Sequence, residues 1–483
     1  MSSVSTRAQY FLPQFAKNKL IRDLSEGLYG LRGFHAGAGE VNAESPYLPR
    51  LPKEPDPFYK LRLNRSYLTN YFERAIKADS GKVLWNDISV KDDNGEDRSK
   101  EVAKDLDDID LEGMQLKVWA QSELQKAMRK GATLAFADYN KAQGRSFVRQ
   151  IDIDEVLEFE FAENGKLIYL KFEFDIDRNS EHHGTEIVKG IYELWPTAYR
   201  ITDSANLEDP VDEGEVLRYR NGSTRINDEI PVSVMYLNKK KAFIAESPYQ
   251  TLAELTLEHF QEYSQYKNMM FYATTPILFG TNMPEDFIID ALSSYMFLKF
   301  PETGDKAPDM KWVQVNDAPL EQCRKMIEDI EKRISQFGLD QNELRIERSA
   351  TESAIDSRGT NAALIGFSEA LAQHIERVIE LMDSYTLETD VKYHVSITPD
   401  AALNGDAQEL QLIQNARING DLPWEAFIDL LIDRKILPPN FDKDKNWGKI
   451  QKEVKAKLDQ MIKETQNTED NTVDNTPTNN ENE

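Results

Sequence analysis

Apolar positions recur every three or four residues along 115–130, and Gly131 follows. This spacing predicts a helix that leads through Gly131 into a short apolar strand, TLAFADY. Upstream, four prolines between Pro49 and Pro57 predict a stiff, extended approach to a helix over about 58–78. Leu61, Tyr67, Leu68, Tyr71, Ala75 and Ile76 share one face of that helix, Gly81 ends it, and VLW reads as a strand. From Phe147 to about Leu237 the period falls to two. IDIDEVLEFEFAENGKLIYLKFEFDI reads as a hairpin turning at Asn164-Gly165, and KGIYELW, EVLRYR and IPVSVMYL continue the sheet.

Helical periods then return. Ser247 and Pro248 suit the N-cap and first position of the helix SPYQTLAELTLEHFQEYSQYKNMMFYA. A mixed insert with strand-like ends leads to a second helix, APLEQCRKMIEDIEKRISQFG. Its apolar positions Leu320, Cys323, Ile327, Ile330, Ile334 and Phe337 alternate in threes and fours, forming a narrow packing seam against neighbouring helices. The polar stretch RSATESAIDSRGTN, Arg348 to Asn361, is too long and too charged for a plain connector. A third helix over about 361–385 turns Leu364, Phe367, Leu371, Ile375, Val378 and Met382 inward, followed by the strand VKYHVSIT and a smaller helical set. A β-rich block flanked by helices predicts the α+β class.

The first two of these helices and their insert predict a protruding hairpin with a small head. Alone it would leave apolar helix surface in water, which monomers avoid. Side-by-side packing in a symmetric ring would bury that surface, and so would packing on the chain's own β block.

Composition narrows the function classes. The net charge of −26 over 483 residues gives no general surface for gripping phosphate, although a channel that must not hold DNA tightly is compatible with it. Cys323 is the single cysteine, so an intrachain disulfide or a Cys-based zinc site is ruled out, and a reducing interior fits. The start, MSSVSTRAQYFLPQF, lacks a signal-peptide core. Nowhere is there a membrane-length run of about 18 apolar residues, so a soluble, intracellular chain without a membrane span is expected. GLYGLRGFHAGAGE matches no phosphate-binding loop and reads as part of a flexible arm. Residues 464–483 carry six acids, no Lys or Arg and one aliphatic residue, Val473, which predicts disorder.

Chemistry is sparse. In DIDRNSEHHGTE, Asp175, Asp177, Asn179 and Glu186 fall at calcium-loop offsets, but Ser180 stands where glycine is required and strands flank the segment. An acidic hairpin loop is the plainer reading. No serine-nucleophile elbow or H-E-x-x-H is present. A metal-dependent hydrolase with hidden carboxylates is the enzymatic alternative; no cofactor, no metal site and no catalytic residue is expected.

The order of these pieces resembles the portal proteins of tailed bacteriophages, the head-to-tail connector ring at the capsid vertex. The resemblance is carried by YLPRLPKEPDPFYKLRLNRSYLTNYFERAIKADSGKVL, IPVSVMYLN, SPYQTLAELTLEHFQEYSQYKNMMFYATTPILFGTN, WVQVNDAPLEQCRKMIEDIEKRISQFG and ATESAIDSRGTNAALIGFSEALAQHIERVIELM, and covers about residues 45–390. It implies an N-terminal arm (1–45), a wing of helices and β-rich block facing capsid and scaffold (46–247), and a first stem helix (248–272). A small α/β clip (273–317), including Phe287, Ile288 and Trp312, would dock the terminase and later the head-tail adaptor. A second stem helix (318–337) would precede a tunnel loop (338–358), with Asn342, Glu343, Arg345, Glu347, Arg348 and Arg358 at the DNA channel. The long wing helix and a strand (359–404), a helical crown (405–463) and the acidic tail (464–483) would complete the chain.

The resemblance further implies a ring of about twelve subunits, assembled in the host bacterial cytoplasm and resident in the virion. Its partners would be the major capsid protein, scaffold, terminase large subunit, adaptor and the double-stranded DNA that passes during packaging and ejection. It implies no enzymatic activity. Another virion head or adaptor structural protein is the alternative within the same class. If the seam faces neighbours, Ile330→Asp impairs ring assembly and spares the monomer.

Overall fold

The computed structural model describes residues 8–33, 44–92, 106–179, 185–203, 206–220, 223–274, 277–281, 309–313, 317–337, 350–385, 392–399, 407–419, 422–433 and 447–448. The chain forms two units, residues 1–399 and 400–483.

Three short helices open the first unit: α1 (Leu12–Lys17), α2 (Lys19–Ser25) and α3 (Leu28–Leu31). This part of the expected flexible arm is anchored instead, because Phe11, Ile21, Leu24 and Leu31 are buried. The Asn18 amide and the Arg22 guanidinium each donate to the Asp154 carboxylate at 2.8 Å. Gly30 is required by a close approach: a Cβ there would lie 2.3 Å from the Asp23 carbonyl oxygen. The rest of the Gly-rich run, 34–40, lies outside the described residues.

The helix expected over 58–78 is two helices, α4 (Asp56–Arg65) and α5 (Tyr71–Val83). Asn70 restarts the chain as an N-cap, its side chain accepting from the Glu73 N–H at 3.1 Å. Buried Arg62 fixes the proline-rich approach by donating to both Glu54 oxygens (2.9 and 2.8 Å) and to the Pro49 carbonyl (2.7 Å). VLW forms no strand, because Val83 still belongs to α5; the strand is β1 (Ser89–Asp92).

Helix α6 (Leu116–Lys130) ends where expected, with Gly131 at φ +85°. The strands β2 (Ala132–Asn140) and β3 (Arg145–Asp152) follow. Next come β4 (Val156–Phe161), β5 (Leu167–Asn179), β6 (Thr185–Leu194), β7 (Ala198–Asp203) and β8 (Asn206–Glu215), a five-stranded antiparallel meander in chain order. The β4–β5 turn is Asn164-Gly165, with Gly165 at φ +79°. EVLRYR is split between the end of β8 and β9 (Tyr219–Arg220), which pairs with β10 (Thr224–Arg225).

The segment IPVSVMYL supplies β11 (Val232–Tyr236), and it leaves the meander to pair with β2, Val232 opposite Phe136. The reason lies in β2. Residues Ala132 to Ala137 are all buried, so this strand needs a partner on each edge and becomes the centre of a β11-β2-β3 sheet. One core joins the two sheets: Phe172 stacks on Tyr192 at 5.1 Å, and Phe136 meets Tyr192 edge-on at 5.3 Å. A small hairpin, β12 (Lys239–Lys241) and β13 (Ile244–Ala245), completes the block.

The later elements are α7 (Gln250–Thr274), β14 (Ile277–Thr281), β15 (Asp309–Val313), α8 (Asp317–Ser335), α9 (Ala350–Asp383) and β16 (Tyr393–Ser396), the last pairing with β1. Helix α9 starts at Ala350 rather than near Asn361, so most of the polar stretch is helical. Ala, Glu and Arg are good helix formers, so the composition of the stretch is compatible with a helix. Its inward face is as spaced, with Leu364, Leu371, Ile375, Val378 and Met382 buried. In the second unit, α10 (Ala407–Ile418) and α11 (Trp424–Asp433) turn through a hydrogen bond from Arg417 to the Leu422 carbonyl, and Trp424 meets Trp447 at 5.3 Å.

Candidate functional site

Helices α7 and α8 form an antiparallel pair. Arg333 reaches Glu258 at 3.2 Å near one end, and Cys323 Sγ lies 3.9 Å from Met269 Sδ near the other. Ser247 and Pro248, expected as N-cap and first residue, lie in the turn before α7, which starts at Gln250; the Ser247 hydroxyl fixes that turn by donating to the Met128 carbonyl (2.8 Å) and accepting from the Tyr249 N–H (3.0 Å). At the far end β14 pairs with β15 in unbroken register from Ile277↔Val313 to Thr281↔Asp309. Among the described residues, the result is a helical hairpin with a two-stranded ladder, β14–β15, at its head.

The base of this hairpin is a packed core. Leu252, Ala253, Leu255, Thr256, His259 and Phe260 of α7 and Ile327, Ile330 and Ile334 of α8 are buried. Among the described residues, the hairpin rests chiefly on α2, α4 and α5. His259, 1% exposed, stacks on Tyr263 (5.5 Å) and takes the edge of Tyr71 (5.1 Å); its Nε2 lies 3.3 Å from Glu331 Oε1. Burial, reinforced by the Glu331 charge, pushes the Tyr71 hydroxyl up to about 12.

Beyond Ser264 on α7 and before Ile327 on α8, no described side chain is buried. Phe271 (37% exposed) and Met326 (43%) are exposed, Phe271 with the Arg65 guanidinium over its ring at 3.4 Å. The outer surface of α8 is charged and self-paired, with Arg324 bonded to Glu321 (2.7 Å) and Glu328 (2.8 Å).

The seam read from the sequence therefore divides. Ile327, Ile330 and Ile334 are 6%, 2% and 0% exposed within a single chain, so they cannot face a neighbouring subunit, and the expectation that Ile330→Asp spares the monomer is corrected. Leu320, Cys323 and Phe337 are half-buried. Trp312 lies on β15 opposite Leu278. Phe287, Ile288, Asn342, Glu343, Arg345, Glu347 and Arg348 lie outside the described residues, and Arg358 falls within α9. Asp175 sits on β5 in an ion pair with Lys189 of β6 (2.6 Å); Asp177 and Asn179 continue that strand, and Glu186 lies on β6. Among the described residues, no group of three His, Cys, Asp or Glu side chains is placed to hold a metal.

Sequence reasoning missed one polar cluster. His374 of α9 places Nδ1 2.8 Å from Ser233 Oγ and Nε2 3.4 Å from Glu123 Oε2, and Thr133 donates to that same oxygen at 3.0 Å. The Trp119 ring stacks on the imidazole at 5.8 Å. The residue types are those of a nucleophilic triad, but the His374 and Glu123 side chains are 0% exposed and Ser233 is 4% exposed, so no substrate reaches them. The cluster ties α9 to α6, β2 and β11. Its four members span more than 240 positions, from Glu123 to His374, and no local pattern marks them.

Residues 248–386 match a family model described as "Domain of unknown function (DUF4055)", a segment running from α7 through the hairpin to the end of α9. No curated protein matches the chain. Among solved structures, it is similar to a chain in the neck of an empty gene transfer agent (GTA) particle computed with C6 symmetry: 12% identity, 72% of this chain and 85% of that chain covered, TM-score 0.41. It is also similar to a chain in the virion of a native GTA particle: 11% identity, 79% and 95% covered, TM-score 0.42.

Proposed function

We propose that the protein is a structural subunit of a phage-type virion head, and within that class a portal: a ring at the capsid vertex, with α7 and α8 as stem and the β14–β15 head as clip. One observation carries this reading. A helical hairpin with a two-stranded ladder at its head follows the β-rich body and precedes a long helix, which is the order of parts in the portal resemblance.

Burial patterns support it. The base of the hairpin is complete within one chain, whereas its distal half keeps Phe271 and Met326 in solvent, a surface that neighbours in a ring would cover. The clip would dock the terminase and the tail adaptor, and the helices and sheets before α7 would face capsid and scaffold. Electron microscopy of the purified protein tests the reading: closed rings with a central channel are expected. Particles in which the protein lies elsewhere in the head or neck would favour the alternative of another head or adaptor protein.

A further inference from the structure

A cleft of about 650 Å³ opens beside the five-stranded sheet, within the size range of ligand sites. It is built from the ends of β2 and β3, from β6, β7 and β8, and from Tyr219 and Tyr385. Its walls are aromatic. Tyr139 stacks on Tyr385 at 5.8 Å with 16° between the rings, and Tyr192 forms a buried floor. Tyr385 spends its hydroxyl on the Ala137 carbonyl (2.9 Å), whereas the hydroxyls of Tyr139 and Tyr219 donate to no described residue.

The rim is acidic. Asp138 faces Arg149 at 3.6 Å, and Arg149 lies over the Phe147 ring at 5.0 Å, so that carboxylate already has a cation. Among the described residues, Asp212 has only the neutral Tyr199 hydroxyl, at 3.2 Å. Glu215 has Arg225 at 3.5 Å, a pair exposed on both sides and therefore weak. Lys141 is the other cation of the lining. The glycine opposite Tyr199 fixes this geometry: a Cβ on Gly214 would come 2.9 Å from the Tyr199 ring, which therefore lies against β8 with its hydroxyl at Asp212.

Among the described residues, strand β8 is also an edge of the sheet, and it carries Asp212, Glu213 and Glu215. Pro210 interrupts its backbone donors, so recognition along it falls to side chains. A second cavity of about 470 Å³ shares Asn140, Phe147 and Arg149 with the first and ends at Asp110 and Glu112, lengthening the acidic track. Aromatic faces beside under-neutralised carboxylates favour a cation and repel an anion. We propose that this cleft binds an extended, Lys- or Arg-bearing segment of a partner protein. The site is complete in one subunit and does not depend on the ring reading.

Fluorescence anisotropy with a labelled Gly-Arg repeat peptide tests this, against the same peptide carrying neutral citrulline in place of arginine. The arginine peptide binds, and citrulline weakens binding about tenfold or more. Asp212→Asn with Glu215→Gln weakens the arginine peptide about tenfold, and Tyr219→Leu weakens it severalfold. Glu321→Gln with Glu328→Gln removes the same charge from α8 and leaves binding unchanged. Equal losses in the two double variants, equal binding of both peptides, or no binding would overturn the proposal. Spermidine binding as tightly as the peptide, with the same loss in the Asp212/Glu215 variant, would assign the cleft to small polyamines and overturn it too.

Discussion

His259 of α7 and Glu331 of α8 meet across the hairpin, Nε2 3.3 Å from Oε1, and the other ring nitrogen of His259 is buried with no partner among the described residues. Removing the carboxylate leaves the imidazole without either contact. Glu331→Ala therefore costs about 1–2 kcal/mol, and Glu331→Gln, which keeps an acceptor, costs less. Urea unfolding monitored by circular dichroism measures both.

Ile330 is 2% exposed between α8 and the helices beneath it. Ile330→Ala lowers stability by about 2–4 kcal/mol, and Ile330→Asp lowers it further by burying a charge. Met326, 43% exposed one turn towards the head, behaves differently. Met326→Glu leaves the monomer's Tm unchanged and reduces the ring fraction in native mass spectrometry.

Gly131 closes α6 at φ +85°, its carbonyl accepts from the Leu237 N–H at 2.8 Å, and a Cβ would lie 2.3 Å from the Glu246 carbonyl oxygen. Backbone strain and collision act together here. Gly131→Ala destabilises by about 2 kcal/mol or more, read as a fall in Tm, whereas Gly165→Ala at the open β4–β5 turn costs less, because nothing surrounds its Cβ position.

Burial pushes the Glu155 carboxyl up to about 7, against the lowering effect of the hydrogen bond it accepts from the Asp152 N–H (2.8 Å). The folded state thus holds a proton that the unfolded chain releases near its ordinary value of 4.5. The stability linked to this group is complete below that value and is lost as pH rises towards 7. Glu155→Gln flattens this part of the profile, seen as urea midpoints that change less between the two pH limits.

Local signals carried much of the fold. Asn164-Gly165 and Gly131 act through their own backbone chemistry, so that turn and that stop were legible, whereas α7 starts at Gln250, past the Ser247-Pro248 expected to open it. What depends on distant partners was not legible. The break at Asn70, the pairing of β11 with β2 and the anchoring of Phe11 are settled by tertiary contacts. The spacing of Ile327, Ile330 and Ile334 announced a buried stripe but could not say whose surface covers it. Arg348–Asn361 read as a loop because its residues are polar, yet polarity sets exposure rather than backbone conformation. The Ser233–His374–Glu123 cluster and the tyrosine cleft join residues too far apart for any periodic pattern to connect.

The central claim is that the hairpin is an assembly device in a portal-type ring. Electron microscopy of the purified full-length protein at about 100 µM before dilution, where mass action favours association, tests it most directly. The account predicts closed rings with a central channel, lost or sharply reduced in Met326→Glu. Monomers alone, or open filaments unchanged by that substitution, would contradict it.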